Sequence, residues 1–84
     1  MTPVRIVLVD DHAMLRDGVR MVLEAQPGFE VVGTADNGYD AIQLIAELRP
    51  DIAILDVAMP GLNGLQATRE IRNVSPETQV VILS

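Results

Sequence analysis

Apolar residues recur along the chain with two different spacings, and these predict strands and helices in alternation. Residues 4–9 form a short, almost wholly apolar run rich in β-branched side chains. Such a run is typical of a strand buried on both faces. Between His12 and Ala25 the spacing becomes helical, and Arg20 and Glu24 are placed as an i,i+4 ion pair. The apolar positions of this predicted helix are Leu15, Val19, Val22 and Leu23.

The second quarter of the chain repeats this strand-then-helix pattern. Residues 29–35 have strand character, and a charged residue in the run indicates an edge position. Asn37 is a suitable N-cap for a second helix, with Asp40 at the N3 position. Pro50 ends this helix. Its inward positions are Ala41, Leu44, Ile45 and Leu48.

The pattern continues to the last residues given. Residues 51–55 predict a third strand, and a loop rich in proline and glycine follows it. Asn63 and Gln66 have the spacing of a capping box, which predicts a third helix. We expect this helix to turn Leu65, Thr68 and Ile71 inward. Residues 79–83 predict a fourth strand.

The order βαβαβαβ, with short connections, predicts the α/β class: a parallel sheet with helices on both faces. No repeat or linker interrupts the pattern. We therefore expect one domain over residues 1–84.

Composition narrows the possible functions. The chain has no cysteine, which excludes disulfides and thiolate metal sites. Its net charge of −6 and its two aromatic residues predict no nucleic-acid binding. No apolar run approaches the ~18 residues of a membrane span, and no signal-peptide pattern is present. A cytoplasmic protein without membrane contact is the expectation.

Acidic side chains follow two of the predicted strands. Asp10 and Asp11 come after the first strand, Asp56 after the third and the hydroxyl of Ser84 after the fourth. The carboxyl ends of parallel strands share one edge of a sheet, where ligands bind. Clustered carboxylates need a cation, and Mg²⁺ prefers such oxygen ligands. The alternative is that each aspartate only caps a helix or forms a turn.

These segments resemble the receiver domain of bacterial two-component response regulators. The similarity covers residues 4–84, and the detail around Asp11, His12, Leu15 and Arg16 is most similar to the NarL/FixJ subfamily. The segments that carry it are residues 7–12 with 15–18, residues 35–38 with Ala41, and residues 50–61 with Gly64.

The resemblance implies a role for each matching residue. Asp56 corresponds to the phosphoacceptor, and a sensor histidine kinase is the implied partner. Asp10 and Asp11 correspond to the acidic pair that holds Mg²⁺, together with Asp56. Ala58 corresponds to the position whose backbone carbonyl also coordinates the metal. Ser84 corresponds to the hydroxyl that hydrogen-bonds the phosphoryl group.

The chain also departs from the family pattern. A receiver has a fifth strand that ends in an invariant lysine, and this sequence contains no lysine. The expectation is therefore the N-terminal two-thirds of a receiver of flavodoxin-like fold, with strand order 2-1-3-4 and without an output domain. Residues 80–83 are apolar on both faces. We therefore expect copies of the chain to associate into homo-oligomers through the fourth strand.

The expected function is thus a phosphoacceptor domain, not an enzyme, whose parent regulates transcription. A phosphatase of the haloacid-dehalogenase type needs a second aspartate where this chain has Ala58. A flavodoxin-like cofactor binder needs a phosphate loop where this chain has Asp10 and Asp11. A self-associating fragment that cannot be phosphorylated is the remaining alternative.

Two other residue types have simple structural interpretations. His12 could carry a phosphoryl group or bind a metal, but a solvated or helix-capping role is the simpler interpretation. Met14, Met21 and Met59 are interpreted as packing residues.

Overall fold

The computed structural model describes residues 2–59 and 61–83, and the predicted order of elements is confirmed there. Four strands alternate with three helices. In chain order these are β1 (Val4–Val9), α1 (Ala13–Glu24), β2 (Phe29–Ala35), α2 (Gly38–Leu48), β3 (Ile52–Asp56), α3 (Gly64–Val74) and β4 (Gln79–Leu83).

All strand pairs are parallel, and their order across the sheet is β2-β1-β3-β4, as predicted. The central strand β1 is flanked by β2 and β3, and four of its apolar residues are at most 1% exposed: Ile6, Val7, Leu8 and Val9. The apolar run at the start of the chain therefore forms one of the two inner strands of the sheet. β4 pairs only with β3 and forms one edge among the described strands.

Helices α2 and α3 cover one face of the sheet, and the main apolar core lies beneath them. Successive side chains of a strand point to opposite faces, so every second residue of β1 and β3 enters this core. Small residues alternate with large ones, which lets the helices approach closely. The core residues include Val7, Val9, Ala41, Ile45, Ala53, Leu55, Ala67 and Ile71.

Helix α1 packs on the other face, against β1 and β2. None of its 12 residues, all of which are described, is buried. The predicted apolar side is therefore only partly covered, and Leu15 and Val22 are 56% and 65% exposed. The interpretation of Met14 and Met21 as packing residues is wrong, whereas Met59 is buried. Helical spacing identifies the apolar side of a helix but not how much of it a neighbour covers.

The helix ends follow the predicted local chemistry in most places. The Asn37 side chain accepts a hydrogen bond from the Asp40 backbone N–H, and both bonds of the capping box join Asn63 and Gln66. Leu65, however, is 65% exposed, so its predicted inward position is wrong. The predicted inward position of Ile71 is confirmed, and α3 turns Gly64 and Ala67 inward beside it, because small residues at the contact let it lie close to the sheet.

The predicted ion pair on α1 is present at the surface. Arg20 Nε donates to Glu24 Oε1 over 2.6 Å. This hydrogen bond, and then the charge of Glu24, raises the pKa of Arg20 above its ordinary value. Within the described part of the chain, no helix is long and apolar enough to cross a membrane.

Candidate functional site

The strand order brings the predicted acidic residues together at one edge of the sheet. Asp10 directly follows β1, and Asp56 is the last residue of the adjacent parallel strand β3. Asp10, Asp11, His12 and Asp56 each offer one potential ligand atom, and these four atoms lie within 4.8 Å of one another. The predicted convergence of three carboxylates is therefore present, and a histidine joins them.

Backbone and side-chain hydrogen bonds hold Asp10 in place. Asp10 is buried and only 5% exposed. Its Oδ1 accepts a hydrogen bond of 2.8 Å from the His12 backbone N–H, and its N–H donates to the Ala35 carbonyl. The Arg16 guanidinium donates to the Asp10 carbonyl over 2.8 Å. The turn after β1 is thus tied to both β2 and α1.

Asp11 has a buried oxygen without a hydrogen-bond donor among the described residues. This atom is Oδ1, and it lies 3.0 Å from His12 Nδ1 without forming a hydrogen bond. The N-cap position of α1 belongs to His12, so Asp11 does not cap the helix. A buried, unsatisfied carboxylate oxygen is costly unless a cation or donor compensates it.

Asp56 is half-buried and is oriented by the loop that follows it. Its Oδ1 accepts a hydrogen bond of 3.0 Å from the Ala58 backbone N–H. The start of α3 lies directly against this loop: a Cβ added to Gly64 would come within 3.2 Å of the Asp56 carbonyl oxygen. Val57 N–H donates to the Leu83 carbonyl, which joins the loop to β4.

This donor set fits a hard divalent cation. Three carboxylates supply oxygen ligands, and the unsatisfied Asp11 Oδ1 provides an acceptor that such an ion would satisfy. Over residues 2–59 and 61–83, no arginine forms an ion pair with these carboxylates. Arg16, the nearby cation, uses its guanidinium on a backbone carbonyl instead. Asp10, Asp11 and Asp56 could therefore hold Mg²⁺.

Ala58 and Ser84 are the remaining predicted site residues. Ala58 is exposed beside Asp56, and its observed contact is through its N–H rather than its carbonyl. Ser84 lies outside the described residues.

Sequence reasoning missed two contacts at this site. Arg16 lies six residues after Asp10, and helical geometry turns its side chain back toward the turn, a relation that spacing alone could have suggested. The other contact is that of His12. Its side chain is 69% exposed, which agrees with a solvated role, but it makes no capping hydrogen bond, and its ring contacts two carboxylates.

Comparison with known proteins agrees with this geometry. The family model of the response regulator receiver domain matches residues 6–84. The transcriptional regulatory protein DegU of Brevibacillus brevis is 38% identical over 81 residues, which cover 96% of this chain and 34% of that protein. LiaR of Bacillus subtilis is also 38% identical, over 96% of this chain and 38% of its own length.

Solved structures give the same result. The signal receiver domain of the response regulator NarL from Mycobacterium tuberculosis superposes with a TM-score of 0.92 and 39% identity. The match covers 98% of this chain and 66% of that one. A LuxR-family response regulator from Aurantimonas superposes with a TM-score of 0.91 and 40% identity, over 96% of this chain and 58% of its own.

The parallel sheet with acidic residues at its carboxyl edge, together with these matches, defines the class as a signalling domain of flavodoxin-like fold. The chain belongs to the response regulator receiver domain family, and its relatives indicate the NarL/FixJ-like subfamily. It spans little more than a third of the length of the curated relatives it matches.

Proposed function

We propose that Asp56 accepts a phosphoryl group from the phosphohistidine of a sensor kinase. The observation that carries this proposal is the convergence of Asp10, Asp11 and Asp56 at the carboxyl edge of β1 and β3. In this proposal residues 1–84 are the N-terminal two-thirds of a receiver domain. Supporting it, the match covers 66% of the Mycobacterium tuberculosis receiver.

The reaction is a transfer between two nucleophiles. An Asp56 carboxylate oxygen attacks phosphorus, the bond from phosphorus to the imidazole nitrogen breaks, and that nitrogen takes up a proton. Because a carboxylate nucleophile has no proton to give up, no general base is needed, and catalysis consists of positioning and charge neutralisation. The Ala58 N–H holds one Asp56 oxygen, which leaves the other for attack.

Asp10, Asp11 and Asp56 would hold Mg²⁺ in this proposal, and the Ala58 carbonyl is proposed as a further ligand. When bound, the ion reduces the repulsion between the carboxylates and the incoming phosphoryl oxygens. The tie from Arg16 to the Asp10 carbonyl keeps the acidic turn in position. We propose that Ser84 supplies a hydroxyl to the phosphoryl group.

A small phosphodonor tests the acceptor directly. Incubation with acetyl phosphate and Mg²⁺ should add about 80 Da, the mass of one phosphoryl group, to the intact protein. Asp56→Asn should remove the adduct, and omission of Mg²⁺ should reduce it strongly. Asp17→Asn, a change to an exposed carboxylate on α1, is the matched control and should leave the adduct intact.

An equal adduct in Asp56→Asn would contradict the assignment of the acceptor. No adduct in the unchanged protein would favour the second candidate, described below. A signalling role is proposed here rather than turnover of a substrate, so the adduct should form once per chain.

The wider role is proposed from the relatives. DegU and LiaR are named as transcriptional regulatory proteins, and we infer that the parent of this domain controls transcription in the cytoplasm. DNA contact is assigned to a separate output domain and not to these acidic residues. The net charge of −6 supports that division.

The second candidate function is a self-associating module that is not phosphorylated. Its support is the edge strand β4, where Val81 and Leu83 are 43% and 44% exposed. An exposed apolar edge can pair with the same edge of a second copy. Both candidates allow homo-oligomers through β4. Sedimentation at increasing concentration should show association, and a monomer at every concentration would contradict it.

A further inference from the structure

The position of the His12 ring is not explained by helix capping or by burial. His12 occupies the N-cap of α1, yet its side chain makes no capping hydrogen bond. The side chain is 69% exposed, so packing does not hold it in place. Its Nδ1 nevertheless lies 3.3 Å from Asp10 Oδ1 and 3.0 Å from Asp11 Oδ1.

Hydrogen bonding accounts for only one of these two contacts. The longer contact, to Asp10, qualifies as a hydrogen bond, and that Asp10 oxygen already accepts one from the His12 backbone N–H. The shorter contact, to Asp11, does not, and Asp11 Oδ1 is the buried oxygen without a donor in the described part of the chain. Asp11 Oδ1 therefore lies at ion-pair distance from the His12 ring nitrogen without receiving a hydrogen bond from it.

We infer that His12 Nδ1 is a ligand for divalent transition metals at this site, which therefore prefers such ions to Mg²⁺. The inference deepens the proposed metal site of Asp10, Asp11 and Asp56 and rests on it. It assigns to His12 a role in metal selectivity, with Co²⁺ and Ni²⁺ favoured over Mn²⁺ and Mg²⁺ by a mixed nitrogen and oxygen donor set.

The spacing of the donor atoms suits such an ion. Adjacent ligands of an octahedral ion, each about 2.1 Å from it, lie about 3.0 Å apart, and opposite ligands lie about 4.2 Å apart. The two carboxylate contacts of Nδ1 are 3.0 and 3.3 Å, and each of the four residues offers one potential ligand atom within 4.8 Å of the others.

Ligand chemistry explains why selectivity would change. Mg²⁺ is a hard ion that keeps water and oxygen ligands, so an imidazole adds little to its binding. Imidazole suits the later divalent metals, whose affinity for a nitrogen-containing site rises from Mn²⁺ to Ni²⁺. Removal of His12 should therefore weaken the binding of Ni²⁺ much more than that of Mg²⁺.

Calorimetric titration of the untagged protein with MgCl₂ and with NiCl₂ tests this difference. His12→Ala should lower Ni²⁺ affinity by about tenfold or more, as expected for loss of a coordinating interaction, and should leave Mg²⁺ affinity within about twofold. Met14→Ala, on the exposed first turn of the same helix, is the matched control and should change neither affinity. Retained Mg²⁺ binding also shows that His12→Ala is folded.

A spectroscopic readout identifies the ligand itself. His12 is the only histidine in the chain, so imidazole nitrogen coupling in the pulsed EPR spectrum of bound Mn²⁺ can come from no other side chain. We expect this coupling in the unchanged protein and its loss in His12→Ala.

The two proposals fail in different ways. Normal Mg²⁺ binding with equal Ni²⁺ affinity in both proteins, and no nitrogen coupling, would overturn the role of His12 alone. Nitrogen coupling without Mg²⁺ binding would support His12 and contradict the proposed magnesium site. Failure of both ions to bind would overturn both.

Discussion

The two faces of the sheet are built from similar strand residues but are covered very differently. On one face α2 and α3 enclose the core residues Ile45, Leu55 and Ile71, which are 0% exposed. On the other, α1 lies over β1 and β2, while Val81 and Leu83 of β4 remain more than 40% exposed. Burial is thus set by the helices that pack on a strand as much as by the strand's own sequence.

Asp56 lies on the less covered of the two faces of the sheet. Asp56 belongs to the α1 side of β3, because strand residues alternate and Leu55 faces the other helices. Leu83, its partner in the register with β4, is on the same exposed side. At the edge of the sheet that carries the acidic cluster, one face of the sheet is therefore a buried core. The other face is an apolar surface that is only partly covered.

The largest expected effect is on the free energy of unfolding, when a buried side chain of one helix and an exposed side chain of another are each truncated to alanine. Ile71→Ala on α3 removes a fully buried side chain, and it should lower the free energy of unfolding by about 2–5 kcal/mol. Leu15→Ala on α1 removes a side chain that is already 56% exposed, and it should cost less than about 1 kcal/mol. Urea unfolding measures both values, and similar losses would contradict the contrast.

Two glycines should respond to the same substitution with opposite signs. A Cβ at Gly38 would lie 2.6 Å from the Leu62 carbonyl oxygen, so Gly38→Ala should destabilise the protein by about 1–3 kcal/mol. A Cβ at Gly18, inside α1, would meet nothing within 4 Å. Gly18→Ala should therefore stabilise by about 0.5–1 kcal/mol through helix propensity. Thermal unfolding checks the signs of the two changes. Destabilisation by Gly18→Ala would show that the surface of α1 around Gly18 is covered.

The smallest effect on stability is expected at the edge strand. Val81→Lys places a charge on the exposed apolar part of β4 and should weaken self-association while changing stability by about 0.5 kcal/mol or less. Gln79→Lys, an exposed polar position on the same face of β4, is the matched control. Sedimentation should show fewer oligomers for Val81→Lys alone. Equal association of all three proteins would exclude this part of β4 as the contact.

The fold could be predicted from the sequence because the relevant information was local. The run before Asp10 defined the central strand, and Asn37 and Asn63 marked helix starts with their own side chains. Leu65 and Leu15 could not be placed in this way, since each belongs to an apolar pattern whose covering neighbour is a tertiary property.

The same distinction between local and tertiary information applies to the residues of the site. The three carboxylates were predictable because strand order alone brings Asp10 and Asp56 to one edge. The contact of Arg16 could have been suggested by its spacing from Asp10, whereas that of His12 depends on side-chain direction at the start of α1, which residue type does not determine. The family resemblance added the roles of these positions but did not indicate the His12 contact.

The central claim is that Asp56, and no other carboxylate of the cluster, takes the phosphoryl group. Peptide mass spectrometry after reaction with acetyl phosphate and Mg²⁺, with borohydride reduction to trap the aspartyl phosphate, locates the modified residue. We expect modification of Asp56, with Asp10 and Asp11 unchanged. Modification of Asp10 or Asp11 in place of Asp56, or of no residue at all, would contradict the claim.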